Sequence, residues 1–187
     1  AGDFFSSYPR HRKLISINKV YTGCDDPRVN LRWDWNSLLT EEHDHLFSEY
    51  DRKYFPDADS LVRYLNDFAS KFCLNVSYST RVENIEKQDC FCVTDQDGLK
   101  HFATVVIVAT GAFLPHVPEI EGIENAECYN DVSVDPEDFA GQRVLIIGKG
   151  NSAFETADNL VGTTSLIHLV SPCSVKFAWR THHVGHL

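Results

Sequence analysis

The amino-acid sequence predicts an α/β fold, and two observations carry this prediction. A strand-length run, Arg143–Ile147, stops at a glycine-rich loop that is followed by a helical pattern and a further apolar run. A second apolar run, Val105–Ala109, ends in Thr110 and Gly111. Short apolar runs that stop at glycines are typical of strands buried on both faces of a parallel sheet. The sequence therefore predicts parallel strands connected by helices.

The composition is that of an ordinary globular protein, and it argues against several classes of function. The chain has 187 residues, 43% hydrophobic and 24% charged, which suffices for one large core or two small ones. A formal net charge of −10 argues against a nucleic-acid partner. No apolar run approaches membrane-spanning length, so no membrane span is expected in this segment. Because the chain begins with Ala1 and contains no methionine, we expect an internal fragment of a longer protein.

The cysteines give no sign of a metal or dithiol site. All six are spread along the chain without a Cys-x-x-Cys pair. This spacing argues against a dithiol redox centre and against paired zinc ligands, and no metal is expected. Asn75-Val76-Ser77 is an acceptor pattern for N-glycosylation, which matters only in a secretory protein.

The first half of the chain is expected to hold one helix and several short strands. Residues 1–58 show little periodicity, whereas apolar residues at helical spacing predict a helix over Asp59–Cys73, with Asp57 or Asp59 as its N-cap. The strands are predicted over Leu74–Ser79, Cys90–Thr94, Lys100–Thr104 and Val105–Ala109, with a turn at Asp95–Gly98. The last of these strands is expected to be buried on both faces.

The second half is expected to form a βαβ unit. A proline-containing connector, Leu114–Glu124, marks the expected boundary between a domain of residues 1–113 and a domain of residues 114–187. Asp135-Pro136-Glu137 predicts a short helical start. The βαβ unit is predicted from a strand over Arg143–Ile147, a helix over about Ser152–Val161 and a strand over Ser165–Val170.

The loop inside this unit carries the strongest signal for a ligand. Gly148 permits a tight turn out of the strand, and Gly150 lets the backbone approach a pyrophosphate. Asn151 and Ser152 open the helix, whose N-terminus would face the phosphates, and Ala153 is small enough for close packing on the sheet. Strand, helix and strand lie at the spacing of a dinucleotide-binding unit, which favours this interpretation over a turn without a ligand.

The residues after the last predicted strand bear on the choice of coenzyme. An acidic side chain about 20 residues past the loop would bind the ribose hydroxyl of NAD. The sequence has Ser171 there instead, with Lys176 and Arg180 shortly after it. Because no carboxylate stands at this position, nothing there would repel the 2′-phosphate of NADP. The sequence therefore favours NADP.

The loop and the order of elements around it resemble the flavin-containing monooxygenases and their relatives. The resemblance implies a Rossmann-like flavoprotein fold with two dinucleotide-binding domains, one for FAD and one for NADP. Residues 1–113 would then be the later portion of the FAD domain, and residues 114–187 the first half of the NAD(P) domain. In that fold Ala109, Thr110 and Gly111 close the FAD domain against the flavin nucleotide.

The same resemblance implies further site residues. Asn36 lies where those enzymes place an asparagine beside the reactive edge of the flavin, so it is the candidate catalytic residue. A turn-forming asparagine is the alternative interpretation. Asp34, Trp35 and Val82 are expected to bind the flavin cofactor.

Three stretches are more similar still to a family of FAD-dependent oxidoreductase-domain flavoproteins of the endoplasmic-reticulum lumen that take part in ER-associated degradation. These stretches are Tyr8–Lys19, Asp34–Leu39 and Val132–Phe139. The resemblance spans essentially the whole chain. It implies residence in the ER lumen, with degradation components as partners beside the small-molecule cofactors.

Two departures from the monooxygenase pattern bear on function. Ile123, Asn125 and Tyr129 replace the Phe-x-Gly-x-x-x-His fingerprint of the connector, which argues against classical monooxygenation. Pro172 stands where an arginine is expected, which argues for weaker NADPH binding. We predict an oxidoreductase that takes hydride from NADPH, with the fragment itself inactive. The alternatives are a flavin-containing binding component with little turnover and a single-nucleotide NAD dehydrogenase.

Overall fold

A computed structural model describes residues 1–16, 18, 23–26, 28–29, 34–41, 45–111 and 115–175. The chain folds into two compact units. The larger unit combines residues 1–69 with the residues from Pro115 onward, and the hairpin unit comprises Ser70–Leu114. The hairpin unit ends next to the expected boundary between residues 113 and 114. The assignment of the two sides of that boundary to two cofactors stays a prediction.

Three helices and five strands are described over their full length. The helices are α1 (Asp3–Ser7), α2 (Ala58–Lys71) and α3 (Asn151–Leu160). The strands are β1 (Val82–Lys87), β2 (Phe91–Asp95), β3 (Lys100–Ala103), β4 (Arg143–Ile147) and β5 (Leu166–Val170). Short 3-10 turns cover Phe47–Glu49, Ile123–Asn125 and Pro136–Phe139. In the part of the chain that the structure describes, no helix has the length and apolar character needed to span a membrane.

Helix α2 supplies the main core of the larger unit, as its apolar spacing predicts. Leu61 and Phe68 are buried on one face, and between them Tyr64 is fully buried. The Tyr64 ring stacks on His45 at 5.1 Å and meets Phe47 edge-on at 5.7 Å. The core is therefore an aromatic cluster with Tyr64 at its centre.

The hairpin unit is an antiparallel sheet in the order β1-β2-β3. The strand expected over Leu74–Ser79 is wrong, because that stretch is irregular and exposed. The strand lies instead at β1, where Lys87 pairs with Phe91 directly across a tight turn. Pairing across a short turn decides which segment becomes a strand. The sequence of β1 is mostly polar, so its hydrophobic pattern alone does not indicate a strand.

The Asp95–Gly98 turn between β2 and β3 is confirmed. The Asp95 carboxylate accepts hydrogen bonds from the backbone N–H groups of Asp97 at 3.0 Å and Leu99 at 2.9 Å. Its second oxygen lies 3.0 Å from Nε2 of His101. The hydrogen bond with His101, followed by smaller backbone contributions, holds the pKa of Asp95 below its ordinary value.

Asp95→Asn is expected to destabilise the full-length protein at neutral pH. The lowered pKa means that the ionised carboxylate stabilises the fold above the ordinary carboxyl pKa, and that this contribution is lost as the pH falls through the lowered one. The melting temperatures of wild type and variant should therefore converge in acid. Asp97→Asn, at the exposed neighbouring carboxylate, is the control with no such difference. A gap between wild type and Asp95→Asn that widens in acid would contradict the assignment.

The expectation of a doubly buried strand at Val105–Ala109 is wrong for the structure. This run forms no strand, and Val105, Ile107 and Val108 are 71%, 84% and 71% exposed. A parallel strand is buried only between neighbouring strands, and no described residue pairs with this run in a sheet. The run leaves an apolar surface open to solvent.

The predicted βαβ unit is confirmed within the larger unit. Strands β4 and β5 are parallel, with Arg143 opposite Leu166 and Ile147 opposite Val170. Helix α3 connects them and buries Thr156 and Leu160. The expectation that β4 is buried on both faces is wrong, because its residues alternate between half-buried and exposed. One face of this two-stranded sheet lies open in the described structure.

The short helical start before β4 is also confirmed. It forms a 3-10 turn over Pro136–Phe139, with Pro136 at its first position. The Asp135 side chain caps it by accepting a 3.0 Å hydrogen bond from the Glu137 N–H.

Candidate functional site

The glycine-rich loop leaves the carboxyl end of β4 in a conformation that favours glycine. Gly148 has a φ of 135°. Its N–H donates a 2.9 Å hydrogen bond to the carbonyl of Val170, which fixes the loop beside the end of β5. A Cβ at Gly148 would lie 3.9 Å from the Cβ of Ala153, so a small residue at position 153 lets helix and loop come together. The predicted roles of both residues agree with this geometry.

Gly150 is the N-cap of α3, and the space in front of it is open. Its backbone is extended, with φ −77° and ψ 177°, and a Cβ built on it meets nothing within 4 Å. Among the described residues no side chain caps this helix end. The N–H groups of the first turn, at Asn151 and Ser152, are thus available to a ligand that approaches along the helix axis. An uncapped N-terminus behind an accessible glycine fits the pyrophosphate of a dinucleotide.

A cavity of about 540 Å³ adjoins this loop. One side runs along β4, and the loop from Gly148 to Ala153 closes one end. The connector, here followed as far as Val132, lines the cavity from His116 onward. Phe139 and the buried α3 residues Thr156 and Leu160 complete the lining. Volumes of 300–1,000 Å³ are usual for small-molecule sites, so roughly this size suits part of a cofactor.

Lys149, between the two glycines, makes contacts that the sequence analysis missed. Its Nζ donates hydrogen bonds to the carbonyls of Cys173 at 2.8 Å and Ser174 at 2.7 Å. The lysine inside the glycine-rich loop was the one sequence feature that could have pointed to a role for this residue. Its contact with Cys173, 24 residues further along the chain, depends on the parallel pairing of β4 and β5.

Ser171 lies at the same edge of the sheet, directly after β5. It is half-buried, and its Oγ accepts a 3.5 Å hydrogen bond from the N–H of Cys173. Lys176 and Arg180, the cations predicted from the sequence, lie outside the described residues. The structure therefore brings together the glycine loop, Lys149 and Ser171.

Asn36, the candidate catalytic residue, is buried in a polar network of the larger unit. Its Nδ2 donates to the carbonyl of Ser16 at 3.1 Å and to Oδ1 of Asn18 at 3.0 Å. Asp34 accepts from the N–H groups of Asn36 and Ser37 at 3.0 and 3.1 Å, which makes an Asx turn. Both amide hydrogens of Asn36 are thus engaged within the protein. A catalytic role would require Asn36 to exchange one of these bonds, and it stays a prediction.

The other residues predicted to bind FAD are accessible. Trp35, in the larger unit, is 53% exposed. Val82, Ala109, Thr110 and Gly111 are all exposed in the hairpin unit. Gly111 has a φ of 71°, and a Cβ there would meet nothing within 4 Å. The backbone at Gly111 is therefore open to close approach by a ligand.

Arg10 and His11, in the N-terminal segment, contact residues that line the cavity. Nη1 of Arg10 donates a 2.5 Å hydrogen bond to the carbonyl of Tyr129 in the connector. His11 Nε2 lies 3.0 Å from the hydroxyl of Thr156, which itself donates to the carbonyl of Ser152 in α3. Burial, followed by the charge of Arg10, lowers the pKa of His11. This stretch ties the connector to α3 and so shapes the cavity wall.

Within the described residues, no group of three or more His, Cys, Asp and Glu side chains is placed to hold a metal ion. All six cysteines are described, and no disulfide bond joins any two of them.

Comparison with known proteins extends these observations. The family model described as pyridine nucleotide-disulphide oxidoreductase matches residues 1–186. FAD-dependent oxidoreductase domain-containing protein 2 of Mus musculus is 48% identical over 98% of the chain, and that of Danio rerio is 47% identical over 100%. The chain spans 29% and 28% of the length of these two relatives. A ferredoxin–NADP reductase of Thermus thermophilus is 33% identical, with 80% of this chain and 51% of the relative covered.

Solved structures support the same fold. A flavin-containing monooxygenase from Stenotrophomonas maltophilia has a TM-score of 0.52 and 28% identity, over 66% of this chain and 39% of that one. A bacillithiol disulfide reductase from Bacillus cereus has a TM-score of 0.55 over 89% of this chain and 47% of that one, and at 19% identity it shows the fold alone. The α/β Rossmann-like flavoprotein fold predicted from the sequence is confirmed.

Proposed function

Because the chain belongs to the pyridine nucleotide-disulphide oxidoreductase family, we propose that it is part of an FAD-containing oxidoreductase whose flavin accepts hydride from NADPH. The observation that carries this proposal is the uncapped N-terminus of α3 behind the open face of Gly150. Gly148, which turns the chain out of β4, places this helix end at the edge of the sheet where dinucleotides bind in such folds.

Each residue of the loop has a distinct task toward the nicotinamide coenzyme. When bound, NADPH supplies the hydride and FAD the electron-accepting ring system. Gly150 admits the pyrophosphate to the backbone, because no side chain stands in front of it. The N–H groups of Asn151 and Ser152 would donate to the phosphate oxygens, and the positive end of the α3 dipole would add to this attraction.

The flavin is held by the other predicted residues in this proposal. Gly111 and its neighbours Ala109 and Thr110 offer exposed backbone, with an open approach at Gly111. Val82 offers an exposed apolar side chain at the start of β1. On the resemblance alone, the Asp34–Asn36 turn of the larger unit would supply polar groups to the flavin, with Asn36 as the candidate hydrogen-bond donor.

Residence in the ER lumen and a part in ER-associated degradation are further proposals. Both rest on the resemblance in Tyr8–Lys19, Asp34–Leu39 and Val132–Phe139. Asn75, the glycosylation acceptor pattern, is exposed in an irregular segment, as a glycosylated asparagine must be. Endoglycosidase sensitivity of the full-length protein from cells, lost in Asn75→Gln, tests the compartment and the modification together.

A flavin-containing binding component with little turnover is the second candidate function. Tyr129 favours it, because this residue occupies the place of the fingerprint histidine and its hydroxyl already accepts a 3.4 Å hydrogen bond from the N–H of Arg10.

Anaerobic reduction of the bound flavin separates the two functions. NADPH added to the full-length flavoprotein should bleach the visible flavin absorbance at a rate that saturates with coenzyme concentration. Bleaching by dithionite but not by NADPH or NADH would overturn the oxidoreductase and favour the binding component.

A further inference from the structure

Lys149 makes both of its side-chain hydrogen bonds to the loop after β5. Its side chain crosses from the loop after β4 to the loop after β5, where Nζ donates to the carbonyls of Cys173 and Ser174 at 2.8 and 2.7 Å. The 2.9 Å hydrogen bond from the Gly148 N–H to Val170 holds the two loops side by side. The ammonium group therefore lies at the carboxyl edge of both strands, against the loop that begins with Ser171.

No carboxylate among the described residues neutralises the charge of this ammonium group. Both of its hydrogen-bond acceptors are neutral backbone carbonyls, and they use two of the three N–H donors of a lysine. In the described ranges, no ion pair joins Lys149 to a carboxylate, although the chain as a whole carries a formal net charge of −10. Within the described part of the chain, one donor and the positive charge are thus left for an anion.

The position of the Lys149 ammonium group indicates which anion it would bind. In βαβ dinucleotide sites, the adenosine ribose lies at the end of the second strand, where a carboxylate binds the 2′-hydroxyl of NAD. The second strand here is β5, and the residue after it is Ser171. Because Ser171 Oγ accepts its bond from the Cys173 N–H, its own hydrogen is free to be donated.

We propose that Lys149 and Ser171 form the subsite for the 2′-phosphate of NADP(H), with Lys149 as the residue that selects this coenzyme over NAD(H). This subsite rests on the proposed function, because it presupposes a dinucleotide on the loop. It assigns the selecting charge to a lysine inside the glycine motif, in place of Lys176 or Arg180 beyond β5. The carbonyls of Cys173 and Ser174 preorganise the ammonium group, which lowers the entropy lost when the phosphate binds.

The test is equilibrium binding of NADP⁺ and NAD⁺ to the full-length flavoprotein by titration calorimetry. These oxidised coenzymes differ only in the 2′-phosphate. Lys149→Met should weaken NADP⁺ binding by about 10-fold or more, the weight of one charge-assisted contact, and leave NAD⁺ binding within about twofold. Lys149→Arg should keep most of the affinity for NADP⁺, and Lys100→Met, at an exposed lysine of the hairpin unit, should change neither.

The possible outcomes separate the subsite from the proposed function. Equal weakening of both coenzymes in Lys149→Met would make Lys149 a support of the loop and overturn the subsite. Unchanged NADP⁺ binding would overturn it as well. A wild-type protein that binds neither coenzyme would overturn the proposed function itself.

Discussion

Replacement of Gly150 by valine is expected to lower the affinity of the full-length flavoprotein for NADPH by about 100-fold or more, with FAD still bound. The valine side chain would occupy the open space in front of the α3 N-terminus, where a Cβ meets no protein atom within 4 Å. The pyrophosphate would then lose at least two charge-assisted hydrogen bonds to the backbone, each worth about 1.5–3 kcal/mol. Binding titrations and anaerobic flavin reduction both report this loss.

Gly162 provides the matched control for this substitution. Like Gly150, it lacks a positive φ and has no atom within 4 Å of its Cβ position, but it lies beyond the other end of α3. Gly162→Val should therefore leave coenzyme binding unchanged. Gly150→Ala, with a smaller side chain, should lose less affinity than Gly150→Val. Loss of FAD together with NADPH in Gly150→Val would show that the loop serves the flavin instead.

Tyr64→Ala is expected to lower the free energy of unfolding by about 3–5 kcal/mol, the usual cost of removing a buried aromatic ring. Tyr64 is fully buried and packs against His45, Phe47 and Tyr50. Its hydroxyl also accepts a 2.8 Å hydrogen bond from the N–H of Leu38. Calorimetric melting of the full-length protein should show the largest decrease in Tm for this variant among the tyrosines of the described ranges.

Two further variants separate the contribution of the Tyr64 hydroxyl from that of its ring and show that the effect requires burial. Tyr64→Phe keeps the ring but leaves the Leu38 N–H unsatisfied, at a cost of about 1–3 kcal/mol. Tyr78→Ala removes a tyrosine that is 62% exposed and should melt close to wild type. Comparable melting of Tyr64→Ala and Tyr78→Ala would contradict the central place of Tyr64 in the core.

Local patterns predicted the parts of the fold that are stabilised locally. The β4–α3–β5 unit follows from an apolar run, two glycines and one helical face, all within 28 residues from Arg143 to Val170. The turn after β2 follows from Asp95 and Gly98, whose backbone preferences act within four residues. Strand β1 could not be found this way, because its alternation is polar and its register is set by pairing with β2.

In the candidate site, too, the sequence predicted the locally encoded features and not the long-range contacts. The loop from Gly148 to Ala153 was predicted because backbone conformation and small side chains encode it. The bond from Lys149 to Cys173, and the network that engages Asn36 with Ser16 and Asn18, join residues far apart in sequence. Such contacts depend on the tertiary structure, and the spacing of residues in the sequence does not predict them. The burial of Tyr64 was not predicted, because a tyrosine with its polar hydroxyl does not count as an apolar residue in a helical pattern. Its ring is nevertheless fully buried.

Hydrogen exchange of the full-length flavoprotein, with and without NADP⁺, tests most directly whether this loop holds the coenzyme. The backbone amides of Gly150, Asn151 and Ser152 should exchange more slowly when NADP⁺ is present, because the phosphates accept their N–H groups and exclude water. The amides of β1–β3 in the hairpin unit should be unaffected. Protection confined to the hairpin unit, or no protection of the loop at saturating NADP⁺, would contradict the assignment.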